Sequence, residues 1–320
     1  MNISLNREAN KIRNKTMFKG CVHKDFNCNK TTSHAHSIQN NRFLDKIANN
    51  NGEVMCIDFG KLGLYGNLKL QKVGRKKASI FTGFCNYHDS SIFKPIEESE
   101  YEINNKEQEF LFAYRAFALS YYERHSSYGF MNEHLEIKQK EKHVDIEEFK
   151  EKVSFYKKHL NYIENMRIMM NKNLDNKKHY KISTEILNWP KNYGVAATSM
   201  FFINKDTEGR VINDPSSYMS PFFFTVIPQD DKTIVLMSYL AKDKQRYEFL
   251  YKQIIKAELN DQKMLISNIL AMNVENFFIS PDKWDTLPLK TKNLFLKVLQ
   301  STMGGEKPRL GYFKDLNIFC

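Results

Sequence analysis

Cysteine and histidine residues are concentrated near the start of the chain. Four of the five cysteines and four of the nine histidines lie before residue 90, and the remaining cysteine is the last residue, Cys320. Thiolate sulfur and imidazole nitrogen are the ligands that zinc prefers in structural sites. An odd number of cysteines without a signal-peptide-like N-terminus also argues against a disulfide framework. The distribution therefore indicates a metal-organised N-terminal region.

Two pairs of potential ligands stand out. Cys21 and Cys28 have six residues between them, and Cys85 and His88 have two. Structural zinc sites commonly take one pair from a knuckle and one from a later element. We therefore predict a structural zinc ion at Cys21, Cys28, Cys85 and His88, with His23 able to compete with either cysteine of the first pair. The alternative is that these cysteines are small buried hydrophobic residues.

Short elements must position these ligands. Residues 37–49 carry apolar side chains at helical spacing and are followed by the Asn-Asn-Gly stop at 50–52, which predicts a short helix. Two strands, over residues 53–59 and 68–73, are predicted around turns at Gly60, Gly63 and Gly66, and a third strand over 78–84 leads into Cys85. This region is weak in apolar core, so we expect the metal to organise it.

The rest of the chain has the periodicity of ordinary helices and strands. An apolar helix is predicted over 106–128, and one or two amphipathic helices over 133–174. After residue 177 the pattern predicts strands and then helices. The strands are predicted at 180–188, 195–204, 221–228 and 233–240, and the helices at 242–259, 262–272 and 289–302. Residues 229–232 fit a hairpin turn, and the aromatic segment 276–284 is interpreted as a packing corner.

These patterns predict an α+β protein with three segments. Residues 1–105 form a small zinc-organised module, residues 106–176 a helical arm, and residues 177–320 an antiparallel sheet with helices.

The charge and the hydropathy of the chain indicate which kinds of partner it can bind. The 48 lysines and arginines exceed the 37 acidic residues, giving a formal net charge of +11, which favours DNA or RNA as a partner. A protein partner stays open. No apolar run has the length of a membrane-spanning helix or a signal peptide, so we expect a cytoplasmic protein without membrane contact. The chain has no G-x-S-x-G, P-loop or G-x-G-x-x-G motif, which gives nucleotide-driven chemistry no support.

Between the ligand pairs lies Ser33-His34-Ala35-His36-Ser37-Ile38-Gln39, directly before the predicted short helix. This segment, the cysteine pair and the later Gly-Phe-Cys-x-x-His-Asp together resemble the treble-clef zinc fold of HNH-type nucleases. They also resemble uncharacterised bacterial proteins that join such a motif to a longer α+β body. The resemblance covers about residues 18–97, and residues 98–320 resemble no family.

The resemblance implies a metal-dependent endonuclease. In that family a histidine acts as general base on the attacking water, and a divalent metal such as Mg or Mn stabilises the developing negative charge. His36 corresponds to the base, because it precedes the hydrophobic residue and the helix in the same order. Asp89 lies near the position of a second ligand of the catalytic metal, and His34 is a further candidate ligand on the same strand face.

The chain also departs from the family's pattern. Ala35 stands where an acidic residue or a histidine is common, and Gln39 stands where a proline is common. The middle asparagine of the motif remains open among four positions, which are Asn49, Asn50, Asn51 and Asn67.

Two functions from different classes follow. The first is an HNH-like endonuclease acting on DNA or RNA, such as a bacterial defence effector. The second is a noncatalytic, zinc-stabilised adaptor that binds nucleic acid or protein, since a fold does not fix its chemistry. A third interpretation is a metal-independent structural subunit whose cysteines are part of the core.

Overall fold

The structure is a computed structural model that describes residues 2–29, 32–58, 68–140, 146–303 and 306–320. The predicted turns at Gly60, Gly63 and Gly66, and the asparagine candidate Asn67, lie outside the described residues. The chain divides into two compact units. Unit 1 comprises Met1–Ala35, Ile80–Lys94 and Phe117–Lys178, and unit 2 comprises His36–Ser79, Pro95–Ala116 and His179–Cys320.

Within the described residues the chain forms both helices and strands. The α-helices are α1 (Asn2–Thr16), α2 (Asn86–Ile92), α3 (Lys94–Glu97), α4 (Lys106–Lys138), α5 (Glu147–Asp175), α6 (Leu259–Asn273), α7 (Pro281–Thr286) and α8 (Leu289–Thr302). The strands are β1 (Ala35–His36), β2 (Glu53–Ile57), β3 (Leu70–Gly74), β4 (Ile80–Phe81), β5 (Ile182–Trp189), β6 (Val195–Phe201), β7 (Phe222–Gln229), β8 (Lys232–Leu240) and β9 (Phe277–Ile279).

A seven-stranded sheet in the order β3-β2-β9-β6-β7-β8-β5 forms the centre of unit 2, and neighbouring strands pair antiparallel. The predicted α+β class with an antiparallel sheet is thereby confirmed. The predicted hairpin is also present, because Gln229 pairs with Lys232 across a two-residue turn. Asp230 adopts a left-handed backbone there, with φ +49°. Tight hairpin turns of this length favour positive φ, which aspartate tolerates better than most residues.

Strand β9 explains why the units divide the chain differently from the three predicted segments. It lies between β2 and β6, and Met55 of β2 is opposite Ile279. The hairpin of β2 and β3 therefore belongs to the sheet of unit 2 rather than to a self-contained module ending at residue 105. Conversely, most of the predicted helical arm, Phe117–Lys178, belongs to unit 1. The segment interpreted as a packing corner supplies β9 and α7.

The helices also differ in detail from the sequence pattern. Helix α4 continues to Lys138, and α5 begins at Glu147, so the amphipathic pattern over 133–174 is shared by two helices. The predicted helix over 242–259 is replaced by a 3₁₀ turn at Ala241–Asp243 and a π-helix at Leu250–Ile255. The described helices include none that combines the length and apolar character of a membrane span.

Phe277 should be among the residues on which the stability of unit 2 depends most. Its side chain is fully buried in β9, and its ring centroid lies 5.0 Å from that of Phe295. Truncating a buried phenylalanine removes its transfer free energy and leaves a cavity, so Phe277→Ala should lower the free energy of unfolding by about 3–5 kcal/mol. Chemical denaturation measures this. Leu289→Ala, at an exposed position in the same unit, is the control and should change stability by less than about 0.5 kcal/mol.

Candidate metal centre

Cys21, Cys28, Cys85 and His88 lie together in unit 1. Each offers one ligand atom, and the four atoms lie within 4.8 Å of one another. Cys21, Cys85 and His88 are buried, and Cys28 is partly exposed. The residues named from their spacing thus form a cluster that can hold a metal ion.

Backbone pairing brings the two ligand pairs together. The amide of Val22 donates a hydrogen bond to the carbonyl of Gly83 (2.8 Å), and the amide of Ser33 donates to that of Phe84 (2.8 Å). Thr32 forms an antiparallel bridge with Cys85. Val22, next to Cys21, and residues 32–33, after Cys28, therefore pair with the segment that leads into the second ligand pair.

The second pair straddles the start of α2. Cys85 is the capping residue, with extended backbone angles of φ −82° and ψ 161°, and His88 lies in the first turn of the helix. Two intervening residues at a helix start place both side chains on one side, which is how a Cys-x-x-His spacing produces two convergent ligands.

The distances fit a tetrahedral site. Cys21 Sγ and Cys85 Sγ each lie 3.3 Å from His88 Nδ1. With ordinary zinc bond lengths, a sulfur and a nitrogen ligand on a tetrahedron are about 3.6 Å apart. The two contacts are close to this separation, and Nδ1 is the ring nitrogen of His88 that faces the two sulfurs.

The environment favours a ligand role for Cys85 and His88. Burial by itself would raise the pKa of Cys85, but hydrogen bonds from the backbone amides of His88 and Asn29 bring that pKa below its usual value. Burial, together with the neighbouring His23, lowers the pKa of His88 and keeps its imidazole neutral, as coordination requires.

Burial raises the pKa values of Cys21 and Cys28. Without a cation both are thiols at neutral pH. A divalent cation at the centre deprotonates the thiols that coordinate it, so metal binding here releases protons and is favoured by rising pH.

Helix α5 braces the first ligand pair. Asn171 donates a hydrogen bond from Nδ2 to the carbonyl of Val22 (3.0 Å), and His23 Nε2 lies 2.8 Å from Asp175 Oδ1. The group of four contains Cys28 and not His23, the competing ligand considered from the sequence. Sequence reasoning missed Asn171 and Asp175, because nothing local in an amphipathic helix distinguishes a residue that braces a distant loop.

Cys56, in contrast, is a cysteine that takes part in neither described group of potential metal ligands. It lies in β2 of unit 2. Burial, with a contribution from Asp58, raises its pKa to about 11, so it remains a thiol at neutral pH.

The structure places the three predicted catalytic residues as follows. His34 is exposed in unit 1, and Asp89 is a partly buried residue of α2. His36 is partly buried in unit 2, with Nδ1 3.0 Å from the carbonyl oxygen of Ala78 and 3.1 Å from Ser79 Oγ. Within the described residues, none of the three belongs to a group of three or more potential metal ligands. Their catalytic roles stay predictions.

Of the candidate asparagines, Asn49 has a local structural role. Its Oδ1 accepts hydrogen bonds from the amides of Asn51 and Glu53, which closes the turn before β2.

Comparison with protein-family models, with curated proteins and with solved structures found no match to this chain.

Proposed function

We propose that Cys21, Cys28, Cys85 and His88 bind one structural zinc ion in a treble-clef-like module, and that this module binds nucleic acid. The observation that carries the proposal is the convergence of four protein ligands, three thiols and one imidazole, at one place. Four protein ligands leave no coordination position for substrate, which is the mark of structural rather than catalytic zinc.

The surface near the site supports nucleic acid as the ligand. Phe26 lies in the loop between the first two cysteines, and its side chain is 96% exposed. Lys24, two residues earlier, is also exposed, and the whole chain carries a net charge of +11. Proteins that bind single strands combine positive charge, which attracts phosphates, with exposed aromatic rings, which stack on bases.

Phe26→Ala should therefore weaken binding to single-stranded DNA or RNA. Stacking on one base contributes about 1–3 kcal/mol, so the dissociation constant should rise about 5- to 150-fold, while zinc content and thermal stability stay unchanged. Fluorescence anisotropy with labelled oligonucleotides at one fixed salt concentration measures the effect.

Phe155→Ala is the matched control, because Phe155 is also an exposed phenylalanine of unit 1 (58%) and lies on α5. Equal affinities for wild type and both variants would remove Phe26 from the contact. If wild-type protein binds neither DNA nor RNA, the nucleic-acid proposal fails.

The second candidate function is HNH-type hydrolysis of a phosphodiester, and the surroundings of His36 favour it. The carbonyl oxygen of Ala78 can only accept a hydrogen bond, so Nδ1 of His36 carries the ring proton and donates it. In the neutral ring the lone pair is then on Nε2, the tautomer that a general base needs.

Ser79 adds a second observation. Its backbone is left-handed, with φ +59°, and its hydroxyl donates to the carbonyl of Ile38 (2.9 Å) while lying beside His36 Nδ1. A left-handed non-glycine residue costs about 1 kcal/mol or more and is enriched at functional sites. In this proposal Ser79 and Ala78 hold the imidazole of His36.

A further inference from the structure

A second group of potential ligands lies against the first. His23, Asp25 and His88 each offer a ligand atom, and these atoms lie within 4.8 Å of one another. His88 belongs to both groups through different ring nitrogens. Its Nδ1 faces the sulfurs of Cys21 and Cys85, and its Nε2 lies 3.1 Å from Asp25 Oδ1.

Two buried nitrogen atoms in this group lack a hydrogen-bond partner. They are His23 Nδ1 and His88 Nε2, on residues that are 6% and 2% exposed. Leaving a buried polar atom unsatisfied costs about 1–3 kcal/mol. Two such atoms facing one carboxylate indicate a binding position for a cation.

Asp175 fixes the tautomer of His23. Its Oδ1 lies 2.8 Å from His23 Nε2, and a carboxylate accepts, so in the neutral ring Nε2 carries the proton and Nδ1 the lone pair. Metal-bound histidines have the same arrangement, in which the second ring nitrogen donates to a carboxylate and orients the ligand. The other ring nitrogen of His23, Nδ1, is the buried atom that lacks a hydrogen-bond partner.

The contact between His88 and Asp25 has the geometry of two ligands on a common ion. The distance from Nε2 to Oδ1 is that of a close ion-pair contact, and Nε2 is nevertheless one of the buried atoms that lack a hydrogen-bond partner. Two ligand atoms about 2.1 Å from a metal, at an angle of about 90–110°, are separated by about 3.0–3.4 Å. The observed 3.1 Å lies in that range.

We propose that His23 Nδ1, Asp25 and His88 Nε2 bind a second divalent metal ion, with His88 bridging it to the structural zinc. Two imidazoles and one carboxylate select an ion of the zinc or cobalt class over magnesium or calcium. When the second ion binds, His88 gives its remaining ring proton to solvent. The proposal adds to the structural zinc and shares only His88 with it.

The second site has three protein ligands and is reached by solvent, whereas the four ligands of the first site complete its coordination. The side chain of Asp25 is 28% exposed, so water can fill the coordination positions that the three protein ligands leave. Three protein ligands with open positions are the arrangement in which a metal polarises water or takes a phosphate oxygen. This site is therefore the one at which the protein's metal can meet an anionic ligand.

The test is a metal titration of the full-length protein with Zn²⁺ and Co²⁺. Equilibrium dialysis followed by elemental analysis gives the number of ions per chain, and the sulfur-to-cobalt charge-transfer absorption reports the cysteine site alone. Wild type should bind two ions. His23→Ala should bind one and keep the charge-transfer band, and His159→Ala, at a partly exposed histidine of α5 that belongs to neither ligand group, should still bind two.

The outcomes separate the two sites. One ion with the charge-transfer band in both wild type and His23→Ala overturns the second site and leaves the structural zinc standing. The second site is likewise overturned if wild type binds one ion and His23→Ala only holds it more weakly, because His23 then merely positions His88. Loss of one ion on His23→Ala without any charge-transfer band in wild type supports the second site and overturns the cysteine site.

Discussion

Replacing Cys85 with serine should abolish stoichiometric zinc binding and destabilise unit 1. Cys85 is buried, lies 3.3 Å from His88 Nδ1 and caps the helix that carries His88, so its loss removes a ligand from the centre of the cluster. A serine hydroxyl is not deprotonated at neutral pH and does not replace a thiolate. Structural zinc contributes about 10–16 kcal/mol of apparent binding free energy, which is folding free energy wherever the site exists only in the folded chain.

Elemental analysis and chemical unfolding measure the two consequences. Cys56→Ser is the matched control, because it makes the same change at a partly exposed cysteine of unit 2 that belongs to neither ligand group. It should keep the zinc content of the wild type. Stoichiometric zinc in Cys85→Ser, or its absence from wild type purified without chelator, would contradict the assignment.

The cluster of potential metal ligands was predictable because zinc restricts the residue types and spacings that can bind it. Cys85 and His88 converge because a helix begins between them, and the start of a helix depends mainly on neighbouring residues in the sequence. The hairpin of β7 and β8 was predictable for a similar reason, since two apolar runs flank one short polar turn.

Features that depend on distant pairing were not predictable. The three-residue strand β9 is too short to give a periodic signal, yet it joins β2 to the rest of the sheet and so decides which unit the hairpin of β2 and β3 belongs to. The contact between His23 and Asp175 likewise joins a loop near the start of the chain to the end of α5. The sequence around His23 and the sequence around Asp175 give no sign that the two residues are in contact.

The position of His36 shows the same limit within the candidate catalytic motif. Its order in the sequence, before an apolar residue and a helix, is local and suggested a general base. The residues that contact its ring, Ala78 and Ser79, lie 42 and 43 positions further along the chain. The left-handed backbone of Ser79 has no sequence signal, because serine is not a residue that usually marks positive φ.

His36→Ala is the variant that decides between an enzyme and a binding module. If the protein hydrolyses phosphodiesters, removing the general base should slow cleavage by about 10²- to 10⁴-fold. The substitution removes the contacts of Nδ1 with Ala78 and Ser79, so the free energy of unfolding should fall by about 1–2 kcal/mol. Zinc content should not change, because His36 lies outside both ligand groups.

The measurement is cleavage of single- and double-stranded DNA and RNA by zinc-loaded protein with added Mg or Mn. His159→Ala, which removes a partly exposed histidine of α5, is the control and should cleave at the rate of the wild type. Zinc loss from His36→Ala would make His36 a structural ligand and not a base. If wild-type protein cleaves none of these substrates with either metal, the nuclease proposal fails. Nucleic-acid binding, which the exposed Phe26 and the positive net charge support, is then the function to test.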